Sequence, residues 1–162
     1  MFEIKEYNSS LENELLLFLQ KCLPESGRCL DIDGRHSYYK DISGHFRYFG
    51  CLFDNGELIG SAAVAELGKD ECELKSLYLY EKYHGQGLGK RLLMCAIEEA
   101  KKLGYKTMYL DSLSTSTRAI ALYRRMGFKD TEKYRSVLRS DVFMKRDISS
   151  DNREILCFDD YQ

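Results

Sequence analysis

The stretch from Leu77 to Leu93, LYLYEKYHGQGLGKRLL, constrains the fold more than any other part of the chain. An aromatic and aliphatic run reads as a strand, and the run from Leu88 onward reads as a helix. Between them Gly85, Gly87 and Gly89 stand at alternating positions. Glycine suits a backbone that must turn sharply or let a ligand come close. The first turn of a helix offers free N–H groups and a positive dipole end. A strand that passes through such a loop straight into a helix predicts a site for an anion, most often a phosphate.

The flanking sequence supplies the elements that would carry this loop. FEIKEY alternates and predicts a first strand. In SSLENELLLFLQKCL, Ser9 or Ser10 can cap a helix whose apolar positions Leu11, Leu15, Phe18, Leu19 and Cys22 recur at helical spacing, with Pro24 and Gly27 ending it. A loop and a short second helix are expected around residues 35 to 43. Two apolar runs around Asp54-Asn55-Gly56 predict a hairpin. ECELKSLYLY predicts the next strand. From Leu88 to Leu103 the positions Leu88, Leu92, Leu93, Ala96, Ile97 and Ala100 form one stripe, closed by Gly104. YKTMYLDSL reads as a strand, STSTRAIALYRRMGF as a capped helix ending at Gly127, and residues 128 to 134 and 141 to 147 as two strands. The tail SSDNREILCFDDYQ carries no clear signal. Hairpins mixed with βαβ crossovers predict one mixed sheet with helices on both faces.

A chain of 162 residues suits one domain with a proper core, here residues 1–162. A net charge of −2 gives no field for gripping nucleic acid. No apolar stretch approaches the ~20 residues of a membrane span. The start of the chain lacks a signal-peptide core, so a cytoplasmic protein is expected. The cysteines at 22, 29, 51, 72, 95 and 157 form no C-x-x-C pair, and His36, His45 and His84 are scattered, so no metal site is expected. Cys51, Cys72 and Cys95 lie in apolar runs and read as core fillers.

Which phosphate ligand the loop would take is narrowed by its spacing. A P-loop needs a lysine followed by Ser or Thr, and here Gly89-Lys90 is followed by Arg91. A dinucleotide turn wants G-x-G-x-x-G near the first strand and an acid after the next one. The glycines here run G-x-G-x-G and lie past mid-chain, although Asp111 does follow the next strand. The surrounding motifs resemble the GNAT superfamily of acetyl-CoA-dependent N-acetyltransferases. In HGQGLG, His84 stands at that family's Arg/Gln position, while Gly87 and Gly89 match its signature. Downstream, STRAIALYRRMGF resembles the second signature, with Ser116 where Asn is usual and Ala119, Leu122, Tyr123, Gly127 and Phe128 matching. The resemblance spans roughly residues 48 to 147.

The resemblance implies a single α/β (α+β) GNAT-like domain. Its mixed, mostly antiparallel sheet would have about six to seven strands, flanked by helices, with splayed central strands. It implies that backbone N–H groups of Gly85, Gln86, Gly87, Leu88, Gly89 and Lys90 cradle the pyrophosphate of acetyl-CoA. Backbone groups of Leu77, Tyr78 and Leu79 would pair with the pantetheine arm as an extra strand. His84 changes the side chain at the pyrophosphate, and Ser116 stands where an amide helps hold the cofactor arm in relatives. Lys90, Arg91, Arg118 and Arg124 are candidates for the 3′-phosphate. Tyr123 is the expected general acid, since a phenol of reference pKa ~10 can protonate a departing thiolate. Glu73 is the expected general base, with Glu71 and Glu66 as rivals. Strand alternation puts Glu73 with Lys75, Leu77 and Leu79 on one face.

Arg28, Arg35, His36, Tyr38 and Tyr39 cluster where relatives shape the acceptor pocket, and the arginines could clamp an acceptor carboxylate. The resulting expectation is transfer of an acetyl group from acetyl-CoA, without metal, to a primary amine of a small molecule or a protein, through a ternary complex. A homodimer stays open as a mode of assembly. The alternative is a catalytically weak or inactive GNAT-like acyl-CoA-binding module. A nucleotide-dependent kinase or ligase lacks a magnesium-binding acid pattern.

Overall fold

A computed structural model of the chain describes residues 1–149. The strands are β1 (Phe2–Glu6), β2 (Tyr48–Asp54), β3 (Glu57–Glu66), β4 (Glu71–Leu79), β5 (Thr107–Ser112), β6 (Lys129–Asp130) and β7 (Val142–Asp147). The helices are α1 (Glu12–Cys22), α2 (Ile42–His45), α3 (Leu88–Lys102) and α4 (Thr117–Arg125). The strands form one sheet in the order β1-β2-β3-β4-β5-β7-β6. Every pair is antiparallel except β4 with β5.

Local chemistry explains most of these elements. Asn55 (φ 48°) and Gly56 (φ 87°) are both left-handed, as a tight hairpin between β2 and β3 requires. The α3 stripe is buried throughout, from Leu88 to Ala100. Gly60 of β3 faces that helix: a Cβ there would meet Leu92 and Leu79 side-chain carbons at 3.1 Å. On the opposite face Phe49 packs edge-on against Tyr39, Phe46 and Tyr7. Helices therefore cover both faces. Cys51 and Cys72 fill core, where burial pushes their thiols up to about 12, while Cys95 is half-buried.

Several expectations need correction. Neither Ser9 nor Ser10 caps α1: Asn8 accepts from the Ser10 N–H at the head of a 3₁₀ turn, Ser9–Leu11, which runs into the helix. The second helix is split into a 3₁₀ turn, Ser37–Lys40, and the four-residue α2. The strand expected over 128 to 134 shrinks to β6, because the chain leaves the sheet after Asp130 to cross the site. Ser116 precedes α4 but its side chain makes no capping bond.

The alternation along β4 also breaks. Ser61 pairs with Tyr78 and Ala63 with Lys75, so β4 carries one extra residue between them. Ser76, at φ 56°, absorbs it in a bulge. Its carbonyl accepts from Ser61 Oγ (2.6 Å), and its hydroxyl lies 2.7 Å from that of Tyr39. Glu73 therefore shares a face with Lys75 and Tyr78, while Leu77 and Leu79 lie on the α3 side. The uncertain C-terminal tail, from residue 150 on, and Cys157 lie outside the described residues.

Candidate active site

The site begins where two strands part. β4 and β5 pair through Glu71–Thr107, Cys72–Met108 and Glu73–Tyr109 and no further. Beyond that point β4 still pairs with β3, so Tyr78 and Leu79 have sheet neighbours on one side only, with Leu77 in the bulge beside them. A 3₁₀ turn, Glu81–Tyr83, follows, held by the Glu81 N–H on Glu25 Oε1 (2.9 Å) and the Tyr83 hydroxyl on Asp54 Oδ2 (2.8 Å).

The glycine loop then leads into α3. Gly85 (φ 84°) and Gly87 (φ 76°) are left-handed, which accounts for glycine at both. Gly87 is the N-cap of α3 and has no side chain with which to cap the first turn of the helix. Among the described residues nothing lies within 4 Å of a Cβ built on Gly85. These features fit an anion approaching main-chain N–H groups. His84 turns away from that opening: its Nε2 donates to the Leu79 carbonyl (3.0 Å) and ties the loop to the end of β4. Ser116 is half-buried at the start of α4, with Arg118 exposed beside it. Arg124 is engaged with Asp130 at 3.1 and 3.3 Å.

Tyr123 of α4 is buried against Phe128, with no hydrogen-bond partner for its hydroxyl among the described residues. Burial raises its phenol above the ordinary range. The Tyr78 phenol and Asp111 raise it further, and the Arg28 guanidinium lowers it. Tyr78 is raised by burial and lowered by Arg28 and Tyr39. Tyr123, Tyr78, Tyr39 and Arg28 thus come from four parts of the chain to one place.

Beside them lies a network that the sequence reading missed in part. Glu73, only 4% exposed, accepts from Arg135 Nε (2.7 Å) and from the Tyr134 hydroxyl, with Lys75 Nζ at 3.6 Å. The same Arg135 donates through Nη2 to Asp111 Oδ2 (2.9 Å). Asp111 also accepts from Ser140 Oγ. Lys75 sits over the Tyr38 ring, 5.1 Å from its centroid. Of the rival carboxylates, Glu66 is held by Arg47 and Tyr105 on the surface, and Glu71 lies beside Tyr109. Asp111 was visible as an acid closing a strand, but nothing local marks Tyr134, Arg135 or Ser140 as its partners.

On the outer side, Arg28, Arg35 and Arg139 surround His36, whose pKa is lowered by burial first and then by these cations, with Asp31 opposing. Two open grooves of about 410 Å³ lie elsewhere, over Tyr48, Met94 and Cys95 and along Leu17 and Phe18, apart from this convergence. Among the described residues no cluster of His, Cys, Asp or Glu is arranged to hold a metal ion. No described helix is long and apolar enough to cross a membrane.

An open mixed sheet whose one parallel pair splays beside a glycine loop and a helix start defines the GNAT class of fold. Residues 13–128 match the acetyltransferase (GNAT) family, and the chain belongs to it. It is similar to the uncharacterized N-acetyltransferase YjgM of Escherichia coli (strain K12), 38% identical over 77 residues, 46% of each chain. It is also similar to the N-alpha-acetyltransferase RimI of Mycobacterium tuberculosis, 30% identical over 115 residues, 67% of this chain and 70% of that one. The chain spans about half the length of the first curated relatives it matches. In structure it is similar to a GNAT-family acetyltransferase from Staphylococcus aureus Mu50, with TM-score 0.81, 22% identity and 91% and 99% of the two chains covered. A Salmonella typhimurium acetyltransferase solved with its cofactor acetyl-CoA gives TM-score 0.72 at 20% identity, covering 93% and 95%.

Proposed function

We propose that the protein is an N-acetyltransferase that moves the acetyl group of acetyl-CoA to a primary amine in a ternary complex. The observation that carries this reading is the end of β4–β5 pairing at Glu73–Tyr109, with the Tyr123 hydroxyl, unpartnered among the described residues, close by. Amides of residues 85–90 hold the pyrophosphate, and β4 backbone from Leu77 to Leu79 pairs with the pantetheine arm. The N-acetyltransferase names of the relatives and the acetyl-CoA bound in the Salmonella neighbour support the choice of donor. The thioester supplies the activated acetyl group.

The chain's own residues do the rest. An amine attacks only as its neutral form, so Glu73, with Asp111 beside it, takes the ammonium proton. Tyr123 gives its phenolic proton to the departing sulfur. Ser116, Arg118 and Lys90 lie at the helix starts, where they assist the cofactor arm and the phosphates. The acceptor is a small molecule or a protein amine, approached past Tyr38 and Arg28. A chain of this kind works in the cytoplasm.

Calorimetry with acetyl-CoA, CoA, ATP and NAD tests the donor. Binding of acetyl-CoA and CoA, with neither ATP nor NAD bound, is expected; binding of ATP alone ends the proposal. One observation favours a second reading, an acyl-CoA-binding module without turnover: Glu73 is already engaged by Arg135, Tyr134 and Lys75. Thiol release over a panel of amines separates the two.

A further inference from the structure

The carboxylates of Glu73 and Asp111, with side chains 6% and 17% exposed, share a cation that belongs to the protein itself. Two nearly buried carboxylates demand a counter-charge, because an uncompensated buried ion is costly. Arg135 supplies it in the free protein, from the segment between β6 and β7. Residues 131–141 are held near their ends by Thr131 N–H on the Phe143 carbonyl and by Asp141 with Ser114 and Ser112, and between them by Tyr134, packed on Tyr109 and Phe143, and by Ser140 on Asp111. β6 and β7 pair through Lys129 and Asp130, outside that span. The Arg135 side chain is itself 34% exposed. It can swing out without breaking a sheet bond.

An acceptor amine reaches the enzyme as an ammonium at neutral pH. It seeks the same two oxygens, Glu73 Oε2 and Asp111 Oδ2, that Arg135 now occupies. A displaced guanidinium needs an anion in turn. Among the described residues no further acid is within ion-pair distance of it, and the groups on that side, Arg28, Arg35 and Arg139, are themselves cationic. An acceptor carrying a carboxylate near its ammonium solves both problems. Its ammonium replaces the guanidinium, and its carboxylate takes the guanidinium over in a two-pronged pair.

We infer that Arg135 occupies the acceptor-ammonium subsite and exchanges partners with an incoming zwitterion, so that it selects acceptors of the α-amino-acid type. Arg135 is thus a specificity-determining residue; the inference rests on the acetyltransferase reading. The bound ammonium gives one proton to a Glu73 or Asp111 oxygen, and the nitrogen lone pair so freed forms the new C–N bond as the C–S bond breaks; the departing thiolate takes the Tyr123 proton, and the second proton of the nitrogen restores that phenol.

Two measurements on the full chain test this. Methylguanidinium chloride should raise the melting temperature of Arg135→Ala more than sodium chloride does, and should not do so for the wild type. If Arg135→Ala does not fold, Arg135→Lys, which keeps the charge but loses the second prong, should respond in the same sense. No specific rise in a folded variant overturns the subsite. In acetyl-CoA-dependent thiol release, wild type should favour free amino acids over their carboxamides by at least about ten-fold in kcat/KM, since a site built to pair a charged group rejects its absence. Arg135→Ala should lose that preference and show a lower KM for the amides. An unchanged ratio, or no turnover of any amino acid by acetyl-CoA-bound wild type, overturns the assignment of acceptor class. Rescue by methylguanidinium in a protein that binds no acetyl-CoA would leave the cation subsite standing and remove the acetyltransferase reading instead.

Discussion

A buried phenol flanked by Asp111 and a second phenol holds its proton past the ordinary tyrosine range, so Tyr123 enters the alkaline region still an acid. An alkaline fall in kcat is therefore not expected from this residue up to its reference pKa of ~10. Tyr123→Phe removes the proton donor and little else, since the ring keeps its edge contact with Phe128. Thiol release should drop by about 10²–10⁴-fold while acetyl-CoA affinity stays within a few-fold; an unchanged rate would assign the proton to another group. His36 titrates in the opposite sense. Its Nδ1 accepts from the Asp31 N–H (2.8 Å), which requires that nitrogen unprotonated. Burial and Arg35 depress its pKa below ~6.5, the unfolded reference. The stability it contributes is present above that reference and is lost as pH falls through the lower folded value. An NMR titration of His36 should give a midpoint below the reference, and a midpoint above it would contradict the charge environment described.

The glycine loop shows how an element's sequence and its backbone agree. Gly87 at φ 76° ends the loop and caps α3, and alanine there costs about 1–2 kcal/mol in left-handed strain. Gly87→Ala should lower stability by that amount in urea unfolding and weaken acetyl-CoA binding as the first-turn amides shift; full stability would mean the loop relaxes freely. Such features were legible because their signals are local. The hairpin turn at Asn55-Gly56, the apolar stripe of α3 and the strand–loop–helix order all lie within a few residues of their cause. The bulge at Ser76 was not legible, because nothing short of the β3 partner and Tyr39 explains a serine at positive φ. Missing it put Glu73 on the wrong face relative to Leu77. The Glu73–Arg135 pair joins residues 62 positions apart, and Arg135 lies just past the strand expected over 128 to 134, which in the fold ends at Asp130.

At the scale of the whole molecule, the three residue pairs between β4 and β5 are a narrow seam in the sheet. On one side lie β1–β4 with α1 and α3; on the other lie β5–β7. The proposed donor would lie along the open part of the seam, touching β4, the start of α3 and the face of α4 that bears Tyr123. A ligand that binds only the folded state stabilises it by about 2.7 kcal/mol at a hundred times its Kd. How that gain is distributed depends on geometry. If acetyl-CoA spans the seam, hydrogen exchange should slow at residues 77–79 and 85–90 and also across α4, which contributes Tyr123 to the same place. Exchange in β1 and β2, away from the seam, should follow only the global change. Protection confined to the glycine loop would mean that the phosphates bind while the arm does not enter the seam, and Tyr123 would then have no sulfur to protonate.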